Sequence, residues 1–575
     1  MSRSITSNPL NGLRWLPWAM LAGLPLLFLP DAVDPYGTIR WLALAVMAVL
    51  ALGLNFRHWG QMVADVNRWV LVAMLVFCLA GIASLAVALH PLEGLMDVSR
   101  WLMVLGLMVA LSWAMRRDPL VLRDLWRAGA TAGWLVGGIR WLQLAGVVGG
   151  IPEGGDPTAA TLGNPNFFAG AMVLLTACGI GAALLEKGLW RWIGIGSAAF
   201  CEGMSFIGQT TGATLALVAM GIVLAEGWLT GRWPESLYAK KPLFRIGIYS
   251  LGILGAGLAF GWVMLDKPMD ITPGTDSTLE RVLLWKKSAQ MIQEAPVLGV
   301  GAGHWHYHIL RLGAVSNYQG FATRYYMEAH NDYLQMAAER GILGGLGFLG
   351  MLGLAWANGW RRVREGKAAH AQLAAWAGLT AWMVFAFTNL PGEQSYLIVF
   401  WIVFGAVLIP GKMKATGGTS QATPAWLPKM GAGIAAMLMA GSVFSLVIHA
   451  HWAGAERGNL KLLDAKGRQD WPRTLKLAAE ASQWHQRHDR VSATPFAWYE
   501  GISLLSMGDA KAAIPRLEAA KIQHPWHPQI GSNLGAAYFM AGNREKAAEE
   551  LTALLERFPQ FDEARMNLTE VLLTL

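Results

Sequence analysis

Residues 165–185 read PNFFAGAMVLLTACGIGAALL, a run without a single charged side chain. As an α-helix rising about 1.5 Å per residue it is long enough to cross the hydrocarbon core of a bilayer. A helix apolar on every side belongs in lipid or deep inside a large core, and composition decides between the two. The chain has 575 residues, 54% of them hydrophobic and 15% charged, with a mean hydropathy of +0.37. Soluble domains carry about 25% charged residues. A polytopic membrane protein follows, and collagen-like, disordered and disulfide-stapled classes are excluded. The 28 Trp fit this reading, because indole rings gather where a bilayer meets water.

Outward from that run, twelve others of similar character bring the candidates to thirteen: 13–30, 38–56, 69–89, 98–115, 128–149, 165–185, 190–207, 211–229, 246–265, 341–359, 371–389, 396–410 and 430–449. The seventh is the least regular, since Glu202 and Gln209 make its junction with the eighth polar. Lys and Arg are retained on the cytoplasmic side of membranes, and here the loops alternate. Arg57 and Arg68, Arg116 to Arg127, Lys187, Arg232 to Arg245, Arg361 to Lys367 and Lys412 to Lys429 fall on one side. The opposite short loops carry Asp31, Asp34, Glu93, Asp97, Glu153, Asp156 and Glu393. A cytoplasmic amino terminus and an odd span count put the loop at 266–340 and the tail from 450 outside the cytoplasm. Arg3 and Arg14 precede the first run without a small-x-small cleavage pattern, so it reads as a retained span. The net charge of +8 is spread over loops rather than gathered on one soluble surface, which excludes a nucleic-acid partner. Cys78, Cys178 and Cys201 lie in or beside apolar runs and offer neither a disulfide framework nor a zinc site.

The tail repeats. A shift of 34 residues superimposes Gly501 on Gly535, Gly508 on Gly542, Ala513 on Ala547, Leu517 on Leu551 and Pro525 on Pro559, which is tetratricopeptide periodicity. A degenerate unit at 469–490 and a capping helix over 562–575 are expected to flank the two repeats, building an α-solenoid that docks a protein partner. His485, His488, His524 and His527 read as repeat-surface or loop residues. Truncation near residue 455 is then expected to spare the catalytic centre and weaken only use of the natural acceptor.

Chemistry concentrates in the external loop. Ser277 to Glu280 form a capping box, predicting a helix from Thr278 to about Glu294 that stops before Pro296, with Arg281 and Trp285 on one face. LGVGAGHWHYH at 298–308 lacks the strand and helix of a phosphate-binding loop and reads as a turn. His304, His306 and His308 alternate, and on a strand they would project to one side, but no carboxylate or Cys completes a zinc pattern, so no metal is expected. Trp305, Tyr307, Tyr325 and Tyr326 read either as stacking surfaces for a ligand ring or as an interfacial belt. Further on, His330 and Asn331 precede Gly341, Gly344 and Gly345, small residues expected to let the tenth span pack closely against a neighbour.

These residues resemble the bacterial O-antigen ligase and O-antigen polymerase superfamily. Its ligases carry His followed by Asn, Ser or Gln, nine residues, Gly, two residues, then Gly and a Gly, Thr or Tyr. His330, Asn331, Gly341, Gly344 and Gly345 satisfy each position. Arg281, Trp285 and PVLGVGAG at 296–303 look like its Arg, Trp and Pro-x-x-Gly-x-Gly segment, and GNPNFFAG at 163–170 looks like its Asn-rich entry to a span. The resemblance covers roughly residues 35–410 and departs at Thr211, where relatives often have Arg; Arg324 is a candidate replacement.

The resemblance implies a GT-C-like, all-α membrane bundle of about thirteen helices. It divides as spans 1–265, a catalytic loop 266–340, spans 341–449 and a tetratricopeptide-like domain 450–575. It implies a metal-independent, cofactor-free, inverting glycosyltransferase. The donor is a glycan on polyprenyl (undecaprenyl) diphosphate and the acceptor a hydroxyl of a glycan, lipid or protein. His330 is the candidate base and Arg281 the diphosphate ligand, with Arg324, Asn331, Trp285, Asn164, Asn166, Gln209 and Tyr333 in substrate binding. A repeat-unit polymerase is the alternative within the superfamily. A small-anion transporter is the alternative outside it, disfavoured because the candidate polar groups cluster in one external loop rather than near mid-membrane.

Overall fold

A computed structural model describes residues 13–153, 155–208, 210–232, 277–313, 325–364, 370–411, 426–482, 488–489 and 492–574. Its secondary structure is helical, with two isolated bridges, Val66 to Pro410 and His488 to Pro495. In chain order the helices are α1 (Trp15–Trp18), α2 (Gly37–Gly53), α3 (Trp59–Ala64), α4 (Arg68–Ser84), α5 (Pro91–Arg117), α6 (Pro119–Leu144), α7 (Pro165–Leu185), α8 (Leu189–Ile207) and α9 (Thr211–Arg232). Beyond the loop's α10 (Ser277–Glu294) and α11 (Trp305–Arg311) come α12 (Asp332–Arg364), α13 (His370–Thr388), α14 (Leu397–Leu408) and α15 (Trp426–Gly467). The tail holds α16 (Trp471–Ala481), α17 (Phe496–Ser506), α18 (Ala510–Gln523), α19 (Pro528–Met540), α20 (Arg544–Arg557) and α21 (Asp562–Thr574).

Among the described residues 6 helices are long and apolar enough to cross a membrane, or 7 if α2 and the segment Phe56–Ala64, bent by 66°, act as one span. Trp15–Leu26, α4 and α14 are apolar but shorter. The irregular seventh candidate is one helix, α8, while the ninth, at 246–265, lies outside the described residues.

The starts of α2, α5, α7, α12 and α14 and the loop after α13 meet at one end of the bundle, around a common cavity. Basic residues mark the other end: Arg127 pairs with Glu186 at 2.8 Å, Arg116 with Asp65 at 3.7 Å, and Arg362 donates to the Pro410 carbonyl at 2.6 Å. The cation bias of the loops thus marks the face opposite the cavity.

Gly341 behaves differently from the sequence expectation. It is a break inside α12, at φ 69° and ψ 179°, and a Cβ there would come within 2.1 Å of the Val297 carbonyl oxygen. Only glycine fits, and the freed Ile342 N–H donates to Pro296 O at 2.9 Å. Beyond the break Ile342, Leu343, Leu346 and Leu349 are exposed, an apolar stripe of the kind that faces lipid. Close packing on α4 comes instead from Gly347, where a Cβ would sit 2.7 Å from the Phe77 nitrogen.

The tail is a tetratricopeptide array whose two repeats share their glycine geometry. Gly501 faces Leu517 and Gly535 faces Leu551, in both cases with 2.6 Å from an added Cβ to the leucine Cγ, and Gly508 and Gly542 both adopt φ +86°. The flanking degenerate unit and final helix are present as α16 and α21. Leu462, Ala478, Phe496, Leu517 and Leu534 form one core. A second core is shared between tail and loop: Leu284, Met291, Trp305 and Ile309 are buried together with Leu551, Leu554, Phe558, Phe561 and Val571.

Candidate functional site

Four loop residues singled out in the sequence are drawn to the carboxy-terminal end of α13 or to its neighbourhood. Asn331 caps α12, its Oδ1 accepting from Leu334 N at 3.0 Å, while its Nδ2 donates to the Phe387 carbonyl at 3.0 Å. The Tyr333 hydroxyl donates to Met383 O at 2.7 Å. The Trp285 ring meets Phe387 edge-on at 5.3 Å. Arg281 lies one turn before Trp285 on the same helix face. It is half-buried and makes no hydrogen bond or salt bridge among the described residues, and burial pulls its pKa below the usual arginine range. Thr388 and Asn389, at the end of α13, also abut Gly212 at the start of α9, beside Thr211.

His330 immediately precedes this cap. Its φ is 52°, left-handed backbone that a non-glycine residue seldom adopts, and such conformations cluster where function demands a fixed side-chain direction. The Asp332 carboxylate accepts from Gly392 N at 2.9 Å, fastening the 389–396 loop to the start of α12.

That loop and the segment before α12 also wall a cavity of about 470 Å³. Met327, Glu328, Gln335 and Glu339 line it from the α12 side, Glu393 and Gln394 from the loop, Glu93, Asp97 and Arg100 from α5, and Tyr36, Arg40 and Trp41 from α2. Trp452 of α15 and His488 of the tail complete it. Arg100 bridges Asp97 at 2.8 Å and Glu393 at 2.9 Å, and Arg340 bonds both Asp97 and Glu339. Arg40 donates to three carbonyls, those of Pro25, Leu27 and Thr161. Glu328 makes no hydrogen bond or ion pair among the described residues; burial, with the nearby Glu393 charge, pushes its carboxyl up to about 7.

The glycine-rich turn is a turn, but it cradles a carboxylate: Gly303 N and Trp305 N donate to the two oxygens of Glu339 at 3.0 and 3.3 Å. His306 and His308 are on α11, not on a strand, and His304 precedes it. His304 uses Nδ1 on Ala302 O at 2.7 Å and Nε2 on the His90 N–H at 2.9 Å. Trp305, Tyr307 and Tyr326 are buried; Trp305 donates to Ser288 Oγ at 2.9 Å and Tyr307 to Glu93 at 2.9 Å, so they hold the loop and present no stacking face. The tail histidines are not surface residues either. His524 and His527 are buried, and His488 pairs with Glu93 at 3.1 Å. Burial alone would lower His488, but the Glu93 charge and hydrogen bond carry it to about 9.

Asn164 lines the cavity and also caps α7, accepting from Asn166 N at 2.8 Å, so one of the paired asparagines is explained by capping. Arg324, Gln209 and His485 lie outside the described residues. The expectation of polar groups confined to one loop is corrected: the cavity draws charge from α2, α5, α12 and the loop after α13 as well. Arg40, Asp97, Arg100, Glu339 and Arg340 went unread in the sequence, although ionisable residues within or beside apolar runs were the available signal.

Comparison with known families adds a second line. Residues 196–349 match the O-antigen ligase family, and residues 504–573 match the tetratricopeptide repeat. The chain carries an O-antigen ligase-family domain. No curated protein matches the chain significantly. The ligase-family domain contains Arg281, Trp285, His330, Asn331 and Tyr333, whereas Arg40, Asp97, Arg100, Glu393, Trp452 and His488 lie outside it. The cavity is therefore built jointly by that domain, the flanking spans and the tail. With several apolar helices beside it, the domain marks a membrane enzyme of the ligase or polymerase kind, whose family acts on lipid-linked glycans.

Proposed function

We propose that the protein is a ligase that transfers a glycan from a polyprenyl diphosphate carrier to an acceptor hydroxyl at the outer face of the bacterial inner membrane. The observation carrying this reading is Arg281: a half-buried guanidinium that makes no salt bridge among the described residues, on the face of α10 that also brings Trp285 to the end of α13. A buried cation is normally paired, and a bidentate fork left open suits two phosphate oxygens. In the reaction the acceptor oxygen attacks the anomeric carbon. The bond from that carbon to the diphosphate oxygen breaks, and the leaving diphosphate keeps the electron pair. Arg281 neutralises the charge that develops on it. The acceptor proton passes to the imidazole of His330. One displacement inverts the anomeric centre, and no metal or cofactor is assigned a role. Asn331 and Tyr333 are engaged with α13 carbonyls and so act here by orienting the segment that bears His330.

In this reading the amino terminus is cytoplasmic and the tail periplasmic, with thirteen spans and the four-part division 1–265, 266–340, 341–449 and 450–575. Arg324 is the second diphosphate ligand in place of the arginine missing at Thr211, and Gln209, Asn164 and Asn166 contact substrate.

Deleting the gene and analysing both surface glycan and lipid-linked intermediates tests the reading. A ligase leaves finished glycans stranded on lipid. Single repeat units stranded on lipid would make it a polymerase, and no change in either pool would reject glycan transfer. Restoring the gene as His330→Ala should give inserted protein without transfer; normal transfer removes His330 as the base.

A further inference from the structure

The cavity has a lining unlike a diphosphate site. Six carboxylates reach it, from Asp34, Glu93, Asp97, Glu328, Glu339 and Glu393, and its two arginines are engaged, Arg100 by carboxylates and Arg40 by main-chain carbonyls. His488 is likewise held by Glu93. An anion entering would meet like charge at low dielectric with no open cation among the described residues to offset it. Glu328 and the Gln394 side chain, by contrast, have no hydrogen-bonding partner among the described residues and both line the cavity. Trp452 of α15 adds a large, partly exposed indole to the same wall. Open hydrogen-bonding groups beside an aromatic face are what a hydroxyl-rich ring with an apolar side requires. Glu328 stands two residues before His330, so a sugar seated here lies beside the segment bearing the base.

We propose that this cavity is a glycan subsite for an uncharged or amino-bearing sugar, in which Glu328 and Gln394 take hydroxyl or amino groups and Trp452 packs against the ring, and that it excludes uronic acids and the diphosphate. The proposal deepens the transferase reading and rests on it for the identity of the ligand. It also gives the tail region a direct share in the substrate site, since Trp452 and His488 both lie outside the ligase-family domain.

Saturation-transfer NMR on the full-length protein in detergent micelles, with methyl glucoside, methyl glucosaminide and methyl glucuronide as probes, tests it without requiring turnover. The glucoside and the glucosaminide should bind, with the glucuronide weaker by about tenfold or more. Trp452→Ala should weaken the first two by about fivefold or more. Glu328→Gln should narrow the preference for glucosaminide over glucuronide by about tenfold. Equal binding of glucuronide and glucoside by the unaltered protein overturns the proposal even if a variant fails to fold. Displacement of the glucoside by farnesyl diphosphate overturns it too. In transfer assays on membranes, methyl glucoside should compete with either the acceptor or the lipid-linked donor, which assigns the sugar to one of them; competition with neither rejects the subsite. Because binding is read separately, loss of transfer in His330→Ala with glycoside binding retained leaves the subsite standing, and the converse leaves the base standing.

Discussion

Arg281 and the pair Arg100 and Arg340 occupy opposite electrostatic surroundings. Arg340 is 1% exposed and bonded to two carboxylates, and Arg100 spans two more contacts of the same kind, so their charges are internally compensated. Arg281 is half-buried with no such partner among the described residues. The difference separates two uses of a cation near a membrane surface: the paired arginines lock α5, α12 and the loop after α13 together, while the open one is available to a ligand. Both lie at the same end of the bundle, yet only the second belongs to a recognisable sequence motif.

The largest effect should come from removing what both environments lean on. Sequence alone suggests that truncation near residue 455 spares the catalytic centre. The shared core says otherwise, because Leu284, Trp305 and Ile309 would lose the cover of Leu551, Leu554 and Phe558. Each large side chain uncovered costs about 1.5–3 kcal/mol. The truncated protein should lose transfer to native and simple acceptors alike and unfold at lower temperature. Retained transfer to a simple acceptor analogue would restore the recruitment view of the tail.

Asp97→Ala attacks the paired side of the comparison. It leaves Arg100 and Arg340 partly uncompensated in a buried setting, which should destabilise the protein by about 3–5 kcal/mol. Thermal unfolding in detergent checks it, and an unchanged transition would mean that the two arginines are adequately held by Glu393 and Glu339.

Arg281→Lys attacks the open side. Charge is kept but the planar fork is lost, so transfer should fall by about 10²–10³ while unfolding barely moves. Full activity with Lys would replace the bidentate role by a general electrostatic one. The contrast sharpens if Asp97→Ala is mainly a stability variant and Arg281→Lys mainly a rate variant.

What was legible in the sequence divides along the same line. Helices and repeats are local, so the existence of α10, the 34-residue spacing and the small residues of the tail could be read directly. Asn331 was found through its motif, although its service to the Phe387 carbonyl was not. The cavity was missed because its walls come from residues 36, 97, 328, 393, 452 and 488, which no periodicity connects. His488 was misread for that reason: a histidine in a loop looks solvated until the fold delivers Glu93 to it.

The seam where tail meets loop should show in the pH dependence of stability. His488, raised to about 9 against an ordinary value near 6.5, favours the folded state fully below pH 6.5 and loses that contribution as pH rises through 9. His306, His308 and His527, lowered to about 3 chiefly by burial, act in the opposite range. Below pH 6.5 the unfolded chain takes up protons that the folded seam refuses, so stability falls toward acid. Unfolding temperature should therefore peak near pH 6.5, and His488→Asn should flatten the alkaline limb while leaving the acid limb. A variant that flattened neither would take Glu93 and His488 out of the seam's energetics.

The smallest expected effect tests whether the two repeats, so alike in geometry, are alike in consequence. Asp509 caps α18 by accepting from Ala512 N at 3.0 Å, and Asn543 caps α20 by accepting from Lys546 N at 3.2 Å. Replacing either with Ala removes one capping bond and should cost about 1 kcal/mol, since Asp509 is exposed and Asn543 only half-buried. The difference lies in what each helix covers. Leu517 of α18 belongs to a core confined to α15 and the tail, whereas Leu551 and Leu554 of α20 close over Trp305 and Ile309 of the catalytic loop. Fraying at the start of α20 therefore loosens the loop, and fraying at the start of α18 does not. With equal losses of stability by thermal unfolding, Asn543→Ala should lower transfer measurably while Asp509→Ala leaves it near normal. Equal effects on transfer would mean that the array moves as one rigid unit and that the shared core conveys nothing repeat by repeat.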